Sequence, residues 1–149
     1  GKSTALAALC AQFAHGDVPV LAVATRESML AEVAAAAGVP VVTDPQTDAD
    51  RLGTPPAGHS IVIIDDAAPI RDTPLEQALM LDKGNRTYIT SARPGYVATA
   101  FAGPVAEGKK AARGLILQPS SSLLGTQILS QSIPKSMVGV AVPEKAPSI

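Results

Sequence analysis

Apolar residues are grouped in two ways along the chain, and the alternation between them predicts a mixed α/β domain. Leu6, Leu9, Cys10 and Phe13 recur at three- and four-residue steps, the spacing of one helical face, and the run stops near Gly16. Residues 18–24 (VPVLAVA) instead form a short continuous apolar run of the buried-strand kind. A second helix is expected over about residues 27–37, with Thr25 as its candidate cap and Gly38 as its stop, followed by a strand over residues 39–43. Residues 44–59 are rich in Pro, Gly and Asp and read as a loop with one short helix around residues 48–52. Residues 60–64 (SIVII) carry the strongest strand signal in the chain, followed at once by Asp65 and Asp66. Pro74 suits the first turn of a helix running to about Leu81. Lys83, Gly84 and Asn85 read as a turn and residues 86–91 as a strand. Residues 96–112 read as helical with a break at Gly103 and Pro104, and two last strands are expected at residues 114–118 and 137–142.

Strands that alternate with helices predict a mostly parallel sheet covered on both faces. A length of 149 residues predicts one domain, with the Ser-, Pro- and Gly-rich residues 119–149 as an irregular extension of it.

Composition narrows the choice of partners. Hydrophobic residues make up 46% and charged residues 17%, which is the balance of a packed domain. The net charge is −1 with no basic run, so nothing in this segment provides bulk attraction to nucleic acid or anionic lipid. Two Tyr, two Phe and no Trp make poor base-stacking platforms. The single Cys10 sits in an Ala-rich helical run and reads as a small core residue. No apolar run reaches the roughly 18–20 residues that span a bilayer, so no direct membrane insertion is expected of this segment.

Three short stretches carry candidate chemistry. Gly1-Lys2-Ser3-Thr4 opens a helix and matches the end of the pattern G-x-x-x-x-G-K-[ST]. In that pattern Gly1 lets the backbone close around phosphate oxygens, and N–H groups at the helix start face the anion. Lys2 then reaches the outer phosphates as a point charge, Ser3 holds Mg²⁺ through its hydroxyl, and Thr4 adds a contact near the α-phosphate. A capped helix with an incidental lysine is the competing use of the same residues. The second stretch, residues 61–66, is an apolar strand ending in acids. A parallel strand delivers its last side chain to the carboxyl edge of the sheet, where ligands bind, so Asp65 is a candidate metal ligand. Asp66 is a candidate base for an attacking water, one methylene shorter than Glu in that role. A strand-end Asp also commonly caps the next helix. The third stretch, Ile89-Thr90-Ser91-Ala92-Arg93, closes the following strand. Thr90 or Ser91 can sense a γ-phosphate there, and Arg93 can reach a phosphate or a neighbouring subunit. Lys109, Lys110 and Arg113 read as a solvated basic face. The sequence carries no Cys/His cluster, which removes a zinc site.

The order of these stretches resembles the FtsK/SpoIIIE-type ATPases, and most closely the divergent modules of EccC-like type VII secretion proteins. Besides GKST, IVIIDDA and TSARPGY, the likeness rests on residues 113–119 (RGLILQP), then Leu124-Gly125, Ile133-Pro134 and Val142-Pro143. Arg113 adjoins its Gly with no residue between, unlike the R-x-G-L-L-L-x-P pattern. The resemblance implies a three-layer P-loop NTPase with a RecA-like sheet, truncated at its N-terminus before the first strand and most of the phosphate loop. It implies ATP and Mg²⁺ as cofactors, with Gly1, Lys2, Ser3, Thr4, Thr90 and Arg93 at nucleotide, Ser3 and Asp65 at the metal, and Lys2 and Asp66 in catalysis. It further implies neighbouring ATPase domains or protomers, a DNA or secreted-protein substrate, and a cytoplasmic location at a membrane complex. The alternative within the same resemblance is a weakly catalytic or structural nucleotide-binding module, since Asp66 stands where Glu is usual.

Overall fold

The computed structural model describes residues 2–52, 58–81 and 83–111, together with Ser136. The strands expected at residues 114–118 and 137–142, Gly1 and Arg113 lie outside the described residues. The chain divides into two compact units, Lys2–Ala92 and Arg93–Ile149 with Gly1.

The first unit runs α1 (Lys2–Phe13), β1 (Val20–Ala24), α2 (Met29–Ala36), β2 (Val41–Val42), a 3-10 helix at Asp48–Leu52 and β3 (Ser60–Asp65). It continues through a 3-10 turn at Ala68–Ile70, α3 (Pro74–Met80), a second turn at Lys83–Asn85 and β4 (Arg86–Thr90). The four strands form one all-parallel sheet in the order β2-β1-β3-β4. Register pairs Ala24 with Asp65 and Ile64 with Thr90, so the ends of β1, β3 and β4 lie side by side.

Because side chains alternate across a strand, each strand has two buried sets. Ala22 and Ile63 face one way and form a core with Leu6 and Cys10 of α1 and Leu30 and Ala34 of α2, joined by Ile61, Val41 and Ile89. Val23, Val62 and Ile64 take the other parity and are fully buried. Tyr88, the register partner of Val62, donates its hydroxyl to the Leu79 carbonyl of α3 at 2.6 Å, which puts α3 on this second face. A parallel sheet with helices on both faces is compatible with a three-layer α/β fold.

Backbone accounting explains where the elements depart from expectation. The strand expected over residues 39–43 shrinks to Val41 and Val42. Val39 gives its N–H to Ala34 at the end of α2, Pro40 has none, and the N–H of Thr43 goes to Asp48 Oδ2 at 3.1 Å. The cap of α2 is Ser28 rather than Thr25: Ser28 is extended and its Oγ accepts from the Ala31 N–H. Gly38 leaves the helix at φ +76, a conformation that favours glycine.

In the second unit the helix expected over residues 96–112 is two helices, α4 (Pro94–Thr99) and α5 (Gly103–Ala111). Pro94 and Pro104 each sit in a first turn, where the missing N–H costs nothing. Lys109 turns back to the Ala98 and Ala100 carbonyls and lies over the Phe101 ring, while Lys110 pairs with Glu107 at 3.4 Å. Among the described residues no helix is long and apolar enough to cross a membrane.

One buried acid at the start of α3 sets a pH dependence. Glu76 is 8% exposed; its Oε1 accepts a long bond from the Asp72 N–H, and its Oε2 has no partner. Burial pushes its pKa above the ordinary carboxyl value, outweighing the bond from Asp72. The folded state therefore binds this proton more readily than the unfolded chain, and its contribution to stability falls as pH rises above the usual glutamate range. Glu76→Gln is expected to be more stable than the parent at pH 7.5 and to converge with it near pH 4, read from urea midpoints at the two pH values.

Candidate functional site

The same parity that builds the core selects the polar residues at its upper edge. Ile61, Ile63 and Asp65 share a face of β3, and Ile89 and Ser91 share the matching side of β4 and its extension. This is the face α1 packs against, so the helix start, Asp65 and Ser91 are brought to one place. Ser3 Oγ donates to Asp65 Oδ2 at 2.7 Å across 62 residues of sequence, the length of a strong charge-assisted bond. Ser91 Oγ donates to Asp65 Oδ1 at 3.2 Å and accepts from the Asp66 N–H at 2.9 Å. The Ser91 backbone continues the ladder, with its N–H on the Ile64 carbonyl and its carbonyl on the Ala67 N–H.

Asp65 is 3% exposed, and both its oxygens accept hydroxyl bonds. Among the described residues no lysine or arginine forms an ion pair with it. Asp66 is used differently. Its backbone is left-handed at φ +61, its Oδ1 accepts from the Ala68 N–H at 3.3 Å, and its Oδ2 lies 3.7 Å from Arg26 Nη2. Asp65 therefore faces the helix start, whereas Asp66 makes only a local bond to the Ala68 N–H; the N-cap of the 3-10 turn is Ala67, with no side-chain cap bond.

The sheet order adds a topological reason for a site here. The chain leaves β1 towards β2 on one side and leaves β3 towards β4 on the other. The divergence opens a crevice at the carboxyl ends of β1 and β3, the usual ligand position in open parallel sheets. An open cleft of about 290 Å³ lies on the other side of β1, at the ends of β1 and β2, lined by Ala24, Thr25, Arg26, Glu27, Ala31 of α2 and Thr43.

Lys2 and Thr4 flank Ser3 in the first turn of α1 and are exposed, so they open at the same edge as Asp65. That turn carries no acidic residue. Gly1 lies outside the described residues. Thr90 has the opposite parity from Ser91; its hydroxyl donates to the Ser91 carbonyl at 3.4 Å, and Ser91 is the residue that meets Asp65. Arg93 belongs to the second unit, where it is the exposed N-cap residue of α4 and its side chain makes no cap bond. Arg26 is absent from the sequence reading. Its only sequence signal is a cation two residues past the end of a buried strand.

Among the described residues no group of three or more His, Cys, Asp or Glu side chains could hold a metal by itself. The donors that are present, a serine hydroxyl and a carboxylate, are hard oxygen ligands of the kind Mg²⁺ takes together with phosphates and water. Searches against family models, curated proteins and solved structures return no match to this chain.

The two serines differ in what their loss leaves behind. Ser91→Ala removes a donor from buried Asp65 and an acceptor from the Asp66 N–H, and is expected to cost about 2–4 kcal/mol. Ser3→Ala, at a part-exposed helix start that water can reach, is expected to cost about 1–2 kcal/mol. Chemical denaturation of the two variants checks the order.

Proposed function

We propose that this chain binds a Mg²⁺–nucleoside triphosphate at the start of α1, as a P-loop ATPase core of the FtsK/SpoIIIE kind. The observation that carries the reading is the Ser3–Asp65 hydrogen bond. It joins the hydroxyl of a Gly-Lys-Ser-Thr helix start to the acid at the end of an apolar parallel strand. The start of α1 offers backbone N–H groups, the positive end of the helix dipole and Lys2, all of which favour an anion. Asp65 beside it repels that anion and favours a cation. A phosphate carrying a divalent cation satisfies both demands at once.

In this reading Ser3 and Asp65 hold Mg²⁺, and Lys2 and the backbone of the first turn hold phosphate. When bound, Mg²⁺ draws charge from the phosphate oxygens. Ser91 fixes the orientation of Asp65, and Asp66 is the base available for water. Movement of DNA or of a secreted protein by neighbouring ATPase domains is the function the resemblance carries. A second reading is a nucleotide-binding module with little turnover. It is favoured by the engagement of Asp66 with Arg26 and Ala68, since a base must be free to take a proton.

Calorimetric titration of the full chain with ATP and Mg²⁺, paired with phosphate release, tests both. Lys2→Ala and Asp65→Asn are each expected to weaken Mg²⁺–ATP binding at least about tenfold, a loss of ~1.4 kcal/mol. Asp65→Asn keeps only one of the two oxygens that accept from Ser3 and Ser91, so thermal stability without ligand is measured beside affinity to separate lost binding from lost folding. Undiminished ATP affinity in both variants removes the nucleotide reading. Tight binding without phosphate release selects the second reading.

A further inference from the structure

Arg26 stands past the end of β1, beside β3, and has no assigned contact with nucleotide or metal. It follows Ala24, the register partner of Asp65, by two residues, and so emerges beside the paired acids. Its guanidinium is 3.7 Å from Asp66 Oδ2, and the other Asp66 oxygen is taken by the Ala68 N–H. The Asp66 N–H is tied to Ser91 Oγ, and its φ of +61 fixes the direction in which the side chain leaves the backbone. Among the described residues the partners of the two Asp66 oxygens are Ala68 and Arg26, and neither oxygen bonds Ser3.

We infer that Arg26 is a positioning residue for Asp66: its ion pair holds the Asp66 carboxylate away from the Ser3–Asp65 centre, and opening the pair releases it to act on water. The inference rests on the nucleotide reading and names the restraint on its base. In the released state Asp66 takes a proton from a water whose oxygen bonds to the γ-phosphorus. The bond from that phosphorus to the β–γ bridging oxygen breaks, giving ADP and inorganic phosphate, and the proton passes to solvent. Two features make the restraint reversible. The Arg26 side chain is 60% exposed and the pair is longer than a charge-assisted hydrogen bond, so it is weakly held. Arg26 also lines the open cleft with Thr25, Glu27, Ala31 and Thr43, so it can swing away without repacking a core.

The test is steady-state ATP hydrolysis by the full chain, with nucleotide affinity measured alongside by calorimetry. Arg26→Gln is expected to raise kcat about two- to fivefold, which is the ~0.4–1 kcal/mol an exposed ion pair can hold back, while the nucleotide Kd stays unchanged. Arg26→Lys, which keeps a cation, is expected to bring kcat back towards the parent. In an Asp66→Asn background, Arg26→Gln is expected to leave kcat at the low value of Asp66→Asn alone. A merely structural staple between β1 and β3 would instead lower the melting temperature without raising kcat. The inference is overturned if Arg26→Gln leaves kcat unchanged or lowers it, or raises it equally when Asp66 is Asn. A parent that binds ATP while both it and Arg26→Gln release no phosphate overturns the inference and leaves nucleotide binding standing. Absence of ATP binding by the parent removes the nucleotide reading itself and the inference with it.

Discussion

The hydrogen bond from Ser3 to Asp65 is the contact on which the upper edge of the sheet depends. Removing a carboxylate from water costs several kcal/mol even after the protein relaxes around it. Asp65 is nearly fully buried and recovers part of that cost from the hydroxyls of Ser3 and Ser91. One of these donors comes from the first turn of α1 and the other from the residue after β4. The single carboxylate therefore ties together a helix start and two strand ends that are far apart in sequence. It also fixes how high α1 rides on the sheet, because sliding the helix along its axis would strand a buried charge.

The apolar layer beneath keeps this arrangement rigid. Leu6 and Cys10 hold α1 against Ala22 and Ile63, and Leu30 and Ala34 seat α2 beside it. The strain lies one residue beyond, where Asp66 adopts a left-handed backbone that costs an L-residue about 1–2 kcal/mol and that Asp tolerates better than most. The Ser91 hydroxyl and the Ala68 N–H compensate by bonding its backbone N–H and its carboxylate. The reversal sends the chain sharply from β3 into the 3-10 turn, so that the side chains of the two neighbouring acids part company.

Much of this was readable from the chain itself, and the remainder fails for identifiable reasons. Helix and strand positions follow from apolar spacing, and the approach of Ser3 to Asp65 follows from a helix start and a strand end of recognisable type. The choice between Thr90 and Ser91 depends on pleat parity at the strand end, and a one-residue shift in that end reverses it. The shortness of β2 depends on where the N–H groups of Val39 and Thr43 go, which involves Ala34 and Asp48 outside the strand. Thr25 reads as a cap because it precedes a helical run, but the helix begins at Met29, two residues later than expected, and its cap is Ser28. Arg26 required the sheet order: only when β1 lies directly beside β3 does a cation past the end of one strand meet an acid past the end of the other.

The two adjacent acids therefore separate tasks that the nucleotide reading needs kept apart. A metal ligand must be in place before its ligand arrives, and Asp65 is buried, doubly bonded and anchored to two elements. A base must change partners during a reaction, and Asp66 is more exposed, bonded at longer distances and held by an arginine that solvent can reach. Loss of Asp65 geometry would disturb the helix start, both strand ends and any bound cation together. A change in the hold on Asp66 touches one exposed side chain and a single turn. On the nucleotide reading proposed above, affinity and turnover would then answer to different residues, Asp65 for the first and the exposed Arg26–Asp66 pair for the second.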